Sequence, residues 1–204
     1  MRRRLGSCRV ATAATNVSRA APRHCQKTNA KTGMPSMMAI RFSEKVMEYM
    51  DEYESVTPNI RRDAMTIKDV LTMTTGILWD ELSMPYTDTS STCVKMEATD
   101  DWVKFVVEQP MAFDPGEKWE YSSGATMLLA HIIKKASGQD LALYIEKHLF
   151  DKIGIQDYFW KHIPSGLTDA EGGLYLMPRD LAKFGYLYLN NGNWNGEQIL
   201  PENW

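Results

Sequence analysis

The sequence predicts a mainly helical chain over residues 42–204, preceded by a segment of a different kind. Three observations carry this. Apolar residues recur at helical spacing between residues 125 and 133. Helix-start and helix-stop residues bracket several further stretches. Charge also divides the chain: residues 1–43 hold nine Lys and Arg with no Asp or Glu, while residues 44–204 hold 14 Lys and Arg against 26 Asp and Glu, a balance of −12. At 204 residues, 44% hydrophobic and 24% charged, the chain is long and apolar enough for one domain with its own core.

Residues 1–41 are rich in Arg, Ala, Thr and Ser and show no helical or strand period. They read as a disordered or anomalous segment, separate from a domain spanning 42–204. A transit-type peptide and a basic nucleic-acid arm are the alternatives, the latter disfavoured because no aromatics interleave with the charges. From Phe42, the residues Phe42, Val46, Tyr49 and Met50 fit a short amphipathic helix. Thr66, with Asp69 three places later, is a capping-box pattern that opens a helix with Ile67, Val70 and Leu71 inward. Gly76 is its expected stop.

Residues 83–98 are polar and rich in Ser and Thr and predict a loop. A helix from about Asp100 turns Trp102, Phe105 and Val106 inward and stops before Pro110. Pro115-Gly116 marks a turn. The clearest helix follows it, with Ala125, Leu128, Leu129, Ile132 and Ile133 on one face. Lys134 and Lys135 sit in its last turn and Gly138 closes it. Another helix is expected from Asp140 to about Phe150. After Gly172-Gly173, Pro178 stands at the first position of a helix that ends at Asn190-Asn191-Gly192. Asn195-Gly196 is a tight-turn pair, and a further helix is expected to start at Pro201.

The rest of the inventory excludes several function classes. Three cysteines, Cys8, Cys25 and Cys93, give no C-x-x-C spacing, and His24, His131, His148 and His162 are scattered, so neither a disulfide framework nor a metal site is expected. No apolar run approaches the roughly 18 residues of a membrane span. Arg2 to Arg4 are not followed by the apolar stretch of a secretory signal. The expectation is a cytoplasmic protein with no metal, no organic cofactor, and no nucleic-acid or membrane partner.

Three segments, in this order, resemble the serine β-lactamase and penicillin-recognising hydrolases. They are Met65-Thr-Ile-Lys-Asp-Val-Leu-Thr-Met-Thr-Thr-Gly76 with Trp79-Asp80-Glu81, Phe113-Asp-Pro-Gly-Glu-Lys-Trp-Glu-Tyr-Ser-Ser-Gly124, and Glu171-Gly-Gly-Leu-Tyr-Leu-Met-Pro-Arg-Asp-Leu-Ala-Lys-Phe-Gly185 running on to Trp194 and Pro201. The branch they are most similar to is class C-like and includes esterases, D-aminopeptidases and 6-aminohexanoate-dimer hydrolases. The resemblance implies an α+β β-lactamase/DD-peptidase-like fold, of which this chain carries mainly the helical part and little of the antiparallel sheet.

It also implies a chemistry. In the family a Ser-x-x-Lys at a helix start supplies an acyl-accepting serine and a lysine that share a face. A Tyr-x-Asn or Tyr-x-Ser supplies a tyrosine that relays the proton. A later Lys-Thr-Gly-like triplet lines the site. Here Tyr121-Ser122-Ser123 matches the tyrosine cluster, so Tyr121 is the candidate catalytic residue and Ser123 a substrate-binding partner. Trp79, with Asp80 and Glu81, is a candidate border of the cleft, although a surface loop fits these residues equally well.

Ser-x-x-Lys occurs nowhere in the 204 residues. Ser36 is the nearest serine to the expected place and lacks the lysine. Lys31-Thr-Gly33 spells the triplet upstream of the tyrosine, the wrong side of it. Two expectations follow: a serine hydrolase of small-molecule amides or esters acting through an acyl-enzyme, or a non-catalytic fragment with at most a binding role.

Overall fold

The computed structural model describes residues 40–53 and 57–202. Residues 1–39, with Ser36 and the Lys31-Thr-Gly33 triplet, lie outside the described residues, as do Asn203 and Trp204 at the expected last helix. Eight α-helices are described: α1 Ile60–Ala64, α2 Ile67–Leu71, α3 Thr92–Glu97, α4 Trp102–Glu108, α5 Ser123–Ser137, α6 Leu141–Ile145, α7 Asp151–Ile153 and α8 Pro178–Leu189. Two antiparallel hairpins accompany them: β1 Tyr158–Trp160 with β2 Leu174–Leu176, and β3 Asn193–Trp194 with β4 Glu197–Gln198. The fold is therefore α+β, dominated by helices with only small antiparallel sheets.

α5 is the axis of the larger core. Ser122 caps it, its hydroxyl accepting from the Ala125 N–H at 3.2 Å, and Gly138 closes it in the left-handed region at φ +71°. The expected face is only part of what it buries. Met127, Ala130 and His131 are buried beside Ala125, Leu128 and Ile132, whereas Leu129 and Ile133 are half-buried. A helix packed against α2, α3, α4, α6 and the 3-10 turn Val46–Tyr49 has apolar neighbours on several sides, so one stripe understates it.

The Thr66 cap forms as expected, with the Thr66 N–H donating to Asp69 Oδ2 at 2.8 Å and the Asp69 N–H to Thr66 Oγ1 at 3.3 Å. α2 ends earlier than expected. Met73 is the first residue after it in the left-handed region, at φ +56°, with Gly76 following at +76°. Gly76 has a different duty: its carbonyl accepts from the Ala112 and Phe113 N–H groups, and a Cβ there would stand 2.5 Å from the Phe113 carbonyl oxygen.

Three other expectations are corrected. The stretch 42–50 forms a short 3-10 turn, Val46–Tyr49, after a single bridge between Lys45 and Thr66. The loop expected over 83–98 contains α3, because Cys93 and Met96 find a core to bury in. The helix expected from Asp140 to Phe150 passes through a π-turn, Glu146–Phe150, before α7.

A smaller core gathers Phe150, Ile153, Ile155 and Leu187 under β1, β2 and α8. Trp160 pairs with Leu174 and Tyr158 with Leu176 across this hairpin. Asn195 and Gly196 turn β3 into β4 at φ +50° and +88°, the signs a type I′ turn requires. No helix among the described residues is long and apolar enough to cross a membrane.

Candidate active site

The Tyr121 segment is held by its neighbour in sequence resemblance. Residues 110–120 lace onto residues 73–78 through backbone bonds: Leu78 N–H to the Pro110 carbonyl, Ala112 N–H to Gly76, Gly116 N–H to Thr74 and Glu120 N–H to Met73, each at 2.8 Å. This fixes the chain on its way into α5 and delivers Tyr121 one residue before the Ser122 cap. Tyr121 itself is half-buried. Among the described residues nothing is hydrogen-bonded to its hydroxyl.

Ser123 and Trp79 do come together, and Glu81 is what joins them. The Glu81 carboxylate is 2% exposed and accepts four hydrogen bonds, two on each oxygen. Oε2 takes the Trp79 indole N–H and the Ser123 backbone N–H, both at 2.8 Å. Oε1 takes the Ser123 hydroxyl at 2.6 Å and the Tyr86 hydroxyl at 2.9 Å. A buried carboxylate so fully bonded is a fixed acceptor, and here it locks the first turn of α5.

Trp79 is 2% exposed. Its ring lies against Gly124, where a Cβ would stand 2.7 Å from Trp79 Cη2 and 2.6 Å from Val106 Cγ2. Asp80 points to solvent and bonds the Ser83 hydroxyl. Of the Trp79-Asp80-Glu81 triplet, the two residues that turn inward therefore flank one that does not.

The third resembling segment reaches the same place. Cys93 on α3 is 1% exposed and donates its thiol to Glu171 Oε2 at 3.3 Å. Glu97, one turn further along α3, brings a carboxylate oxygen within 4.8 Å of one of Glu171 and of the Cys93 Sγ. Burial and the negative charges of Glu171 and Glu81 push the Cys93 thiol up. Burial and then the Glu97 contact raise the Glu171 carboxyl to about 7. Tyr86 is raised to about 12, first by its bond to Glu81 and then by burial and the charges of Glu81 and Tyr121. Glu81, Ser123 and Glu171 thus bring one residue from each resembling segment to a single locus, with Tyr86 and Tyr121 within electrostatic reach of each other.

Sequence reasoning missed Cys93, Glu97, Tyr86 and the role of Glu171. The Cys93/Glu97 spacing of four was legible only once residues 92–97 were known to be helical.

Comparison with known proteins gives the family and the fold. The beta-lactamase family model matches residues 39–203. The chain belongs to the beta-lactamase family. Penicillin-binding protein 4* of Bacillus subtilis is 26% identical over 160 residues, covering 72% of this chain and 35% of that protein. Among solved structures, a putative 6-aminohexanoate-dimer hydrolase from Bacillus anthracis superposes with a TM-score of 0.64 at 23% identity, covering 80% of this chain and 45% of the other. EstCE1, a hydrolase with promiscuous acyltransferase activity, gives a TM-score of 0.60 at 13% identity, covering 80% and 55%. These likenesses place the fold among penicillin-binding-protein and 6-aminohexanoate-dimer-hydrolase relatives. The chain spans about a third to a half of the length of such beta-lactamase relatives.

Proposed function

We propose that the chain carries the tyrosine side of a serine-hydrolase site that cleaves a small-molecule amide or ester through an acyl-enzyme, with Tyr121 as the proton carrier. The observation that carries the reading is the Tyr121 hydroxyl, to which nothing among the described residues is hydrogen-bonded, on a segment pinned at both ends by Met73 and by the Glu81–Ser123 lock. A relay group needs that combination of fixed position and unspent hydrogen bonding.

In the reaction a serine hydroxyl adds to the substrate carbonyl and its proton passes to the tyrosinate. The tyrosine then gives that proton to the departing amine or alcohol, leaving the acyl group on the serine as an ester that water hydrolyses. Free tyrosine ionises near pH ~10, so the relay requires a neighbouring cation, the role of the family's lysine. Ser123 and Trp79 border this site, Trp79 as its buried wall and Ser123 through the face that Glu81 leaves to it. The relatives' names, a 6-aminohexanoate-dimer hydrolase and an acyltransferring hydrolase, support amides and esters as the substrate class.

The absence of Ser-x-x-Lys from the 204 residues favours a second reading, a non-catalytic member that keeps the scaffold. A fluorophosphonate probe with mass spectrometry separates them. A stoichiometric serine adduct whose formation slows by a factor of about 10² or more in Tyr121→Phe supports the catalytic reading. No adduct on the folded chain leaves the non-catalytic one.

A further inference from the structure

We propose that Cys93, Glu97 and Glu171 form a binding site for a thiophilic divalent cation, Zn²⁺ being the ion their chemistry fits best. α3 places Cys93 and Glu97 four residues apart, on one face of the helix. Glu171 arrives from the loop before β2. One ligand atom from each, the Cys93 Sγ and a carboxylate oxygen of Glu97 and of Glu171, lie within 4.8 Å of one another.

Tetrahedral zinc, with Zn–S of about 2.3 Å and Zn–O of about 2.0–2.2 Å, has donor-to-donor edges of roughly 3.5 Å. Cys93 Sγ and Glu171 Oε2 are already 3.3 Å apart. Glu97 is exposed and closes the remainder by a change of rotamer, which also gives an ion its way in. One thiolate and two carboxylates make three protein ligands and leave a fourth position open.

Charge agrees with this geometry. Glu81, Glu97 and Glu171 all act on this locus, and the Cys93 thiol is buried among them. Among the described residues none of the three carboxylates forms an ion pair. The cation with a charge interaction toward Glu97 is Lys161, whose ammonium lies over the Tyr175 ring, 5.3 Å from its centroid. Glu81 is satisfied by its four donors, whereas a carboxylate oxygen of Glu97 and one of Glu171 lie within 4.8 Å of each other, a proximity of like charges that a bound cation relieves. Buried charges in proteins are paired or coordinate metals.

A divalent ion also reverses the local preference of the thiol. Cys93, held protonated by burial and negative neighbours, becomes the thiolate when it ligates. Its S–H bond breaks, the proton leaves to buffer, the sulfur lone pair goes to the metal, and no oxidation state changes. Binding therefore releases the thiol proton and tightens with rising pH.

The test uses the full 204-residue chain carrying Cys8→Ser and Cys25→Ser, which leaves Cys93 as its only thiol. Titration with Cd²⁺ is expected to raise the ultraviolet thiolate-to-metal absorption and saturate at one equivalent. Calorimetry with Zn²⁺ in two buffers is expected to show net proton release. Cys93→Ser should abolish the absorption band. Glu97→Gln, an exposed change that leaves the fold alone, should weaken Zn²⁺ binding at least about tenfold, since even supporting residues of metal sites cost 10–100-fold. No band at stoichiometric Cd²⁺, or Zn²⁺ affinity unchanged in Glu97→Gln or Cys93→Ser, overturns the assignment. The outcome is independent of the Tyr121 chemistry, because no step of the labelling experiment reads this locus.

Discussion

At the scale of single residues, Glu81 concentrates more of the site than any other side chain. Four donors converge on it, and removing a buried charged acceptor strands them all, the costly side of hydrogen-bond energetics. Glu81→Ala is expected to destabilise the chain by about 1–3 kcal/mol, the cost of leaving buried donors unsatisfied, read from urea unfolding. Glu81→Gln should lose less but still measurably, because an amide offers one acceptor oxygen and turns its NH₂ toward hydroxyl donors. An unchanged midpoint in both variants would show that the lock carries no stability. The sequence made Trp79-Asp80-Glu81 visible as a border but gave no sign of which acid turns inward. That choice depends on Ser123, 42 residues downstream, and on Tyr86, in a stretch whose composition reads only as loop. The nearness of Cys93 to Glu171 was hidden for a related reason. Spacing in sequence detects local clusters, and Glu171 lies 78 residues from Cys93.

At the scale of elements, the helices with caps were legible and the packing-made ones were not. Thr66–Asp69, Pro178 and Gly138 act locally, so the chemistry of the residue itself sets the boundary. α3 has a polar, Ser/Thr-rich approach and forms only because Cys93 and Met96 have a core to enter. β1 and β2 are three residues each, too short for an alternation to register. α5 offers the sharpest element-level prediction, at Gly124. Alanine there would gain up to about 1 kcal/mol of helix propensity. Its methyl would meet Val106 and Trp79 side chains at 2.6 and 2.7 Å, and overpacking of this kind costs about 1–3 kcal/mol. Val106 and Trp79 are buried, at 0% and 2% exposure, so Gly124→Ala should lower the thermal midpoint despite the better propensity. A raised midpoint would mean that the Trp79–α5 contact yields easily. The N-cap gives a smaller effect, with Ser122→Ala expected to cost about 1 kcal/mol.

Whole-molecule behaviour follows from charge and from uncovered apolar surface. Glu171, raised from 4.5 to about 7 by burial first, binds more proton in the folded state than in the unfolded between those values. Stability therefore falls as pH rises from about 4.5 to 7 and is flat above, with a ceiling of about 3 kcal/mol for this one group. With chelator present to keep cations away, the thermal midpoint should decline over that window in the parent chain and lose that part of the slope in Glu171→Gln. The general form of the fold was legible because the three resembling segments include α2, the start of α5 and α8, and the small share of antiparallel sheet that the resemblance implied is what the two short hairpins supply. α8 shows what that leaves. Phe184 and Leu187 turn into the smaller core, while Met177, Leu181 and Leu189, at helical spacings of four and eight, are 59%, 63% and 81% exposed. Phe159 and Tyr175, paired across the adjacent hairpin, are exposed as well. Exposed large apolar side chains bind hydrophobic dyes and promote association. Leu181→Lys with Leu189→Lys should reduce dye fluorescence and light scattering while leaving the unfolding midpoint within about 0.5 kcal/mol, as surface changes do. If the midpoint instead collapses, Leu181 and Leu189 are inside the cooperative core and the face is already covered in solution.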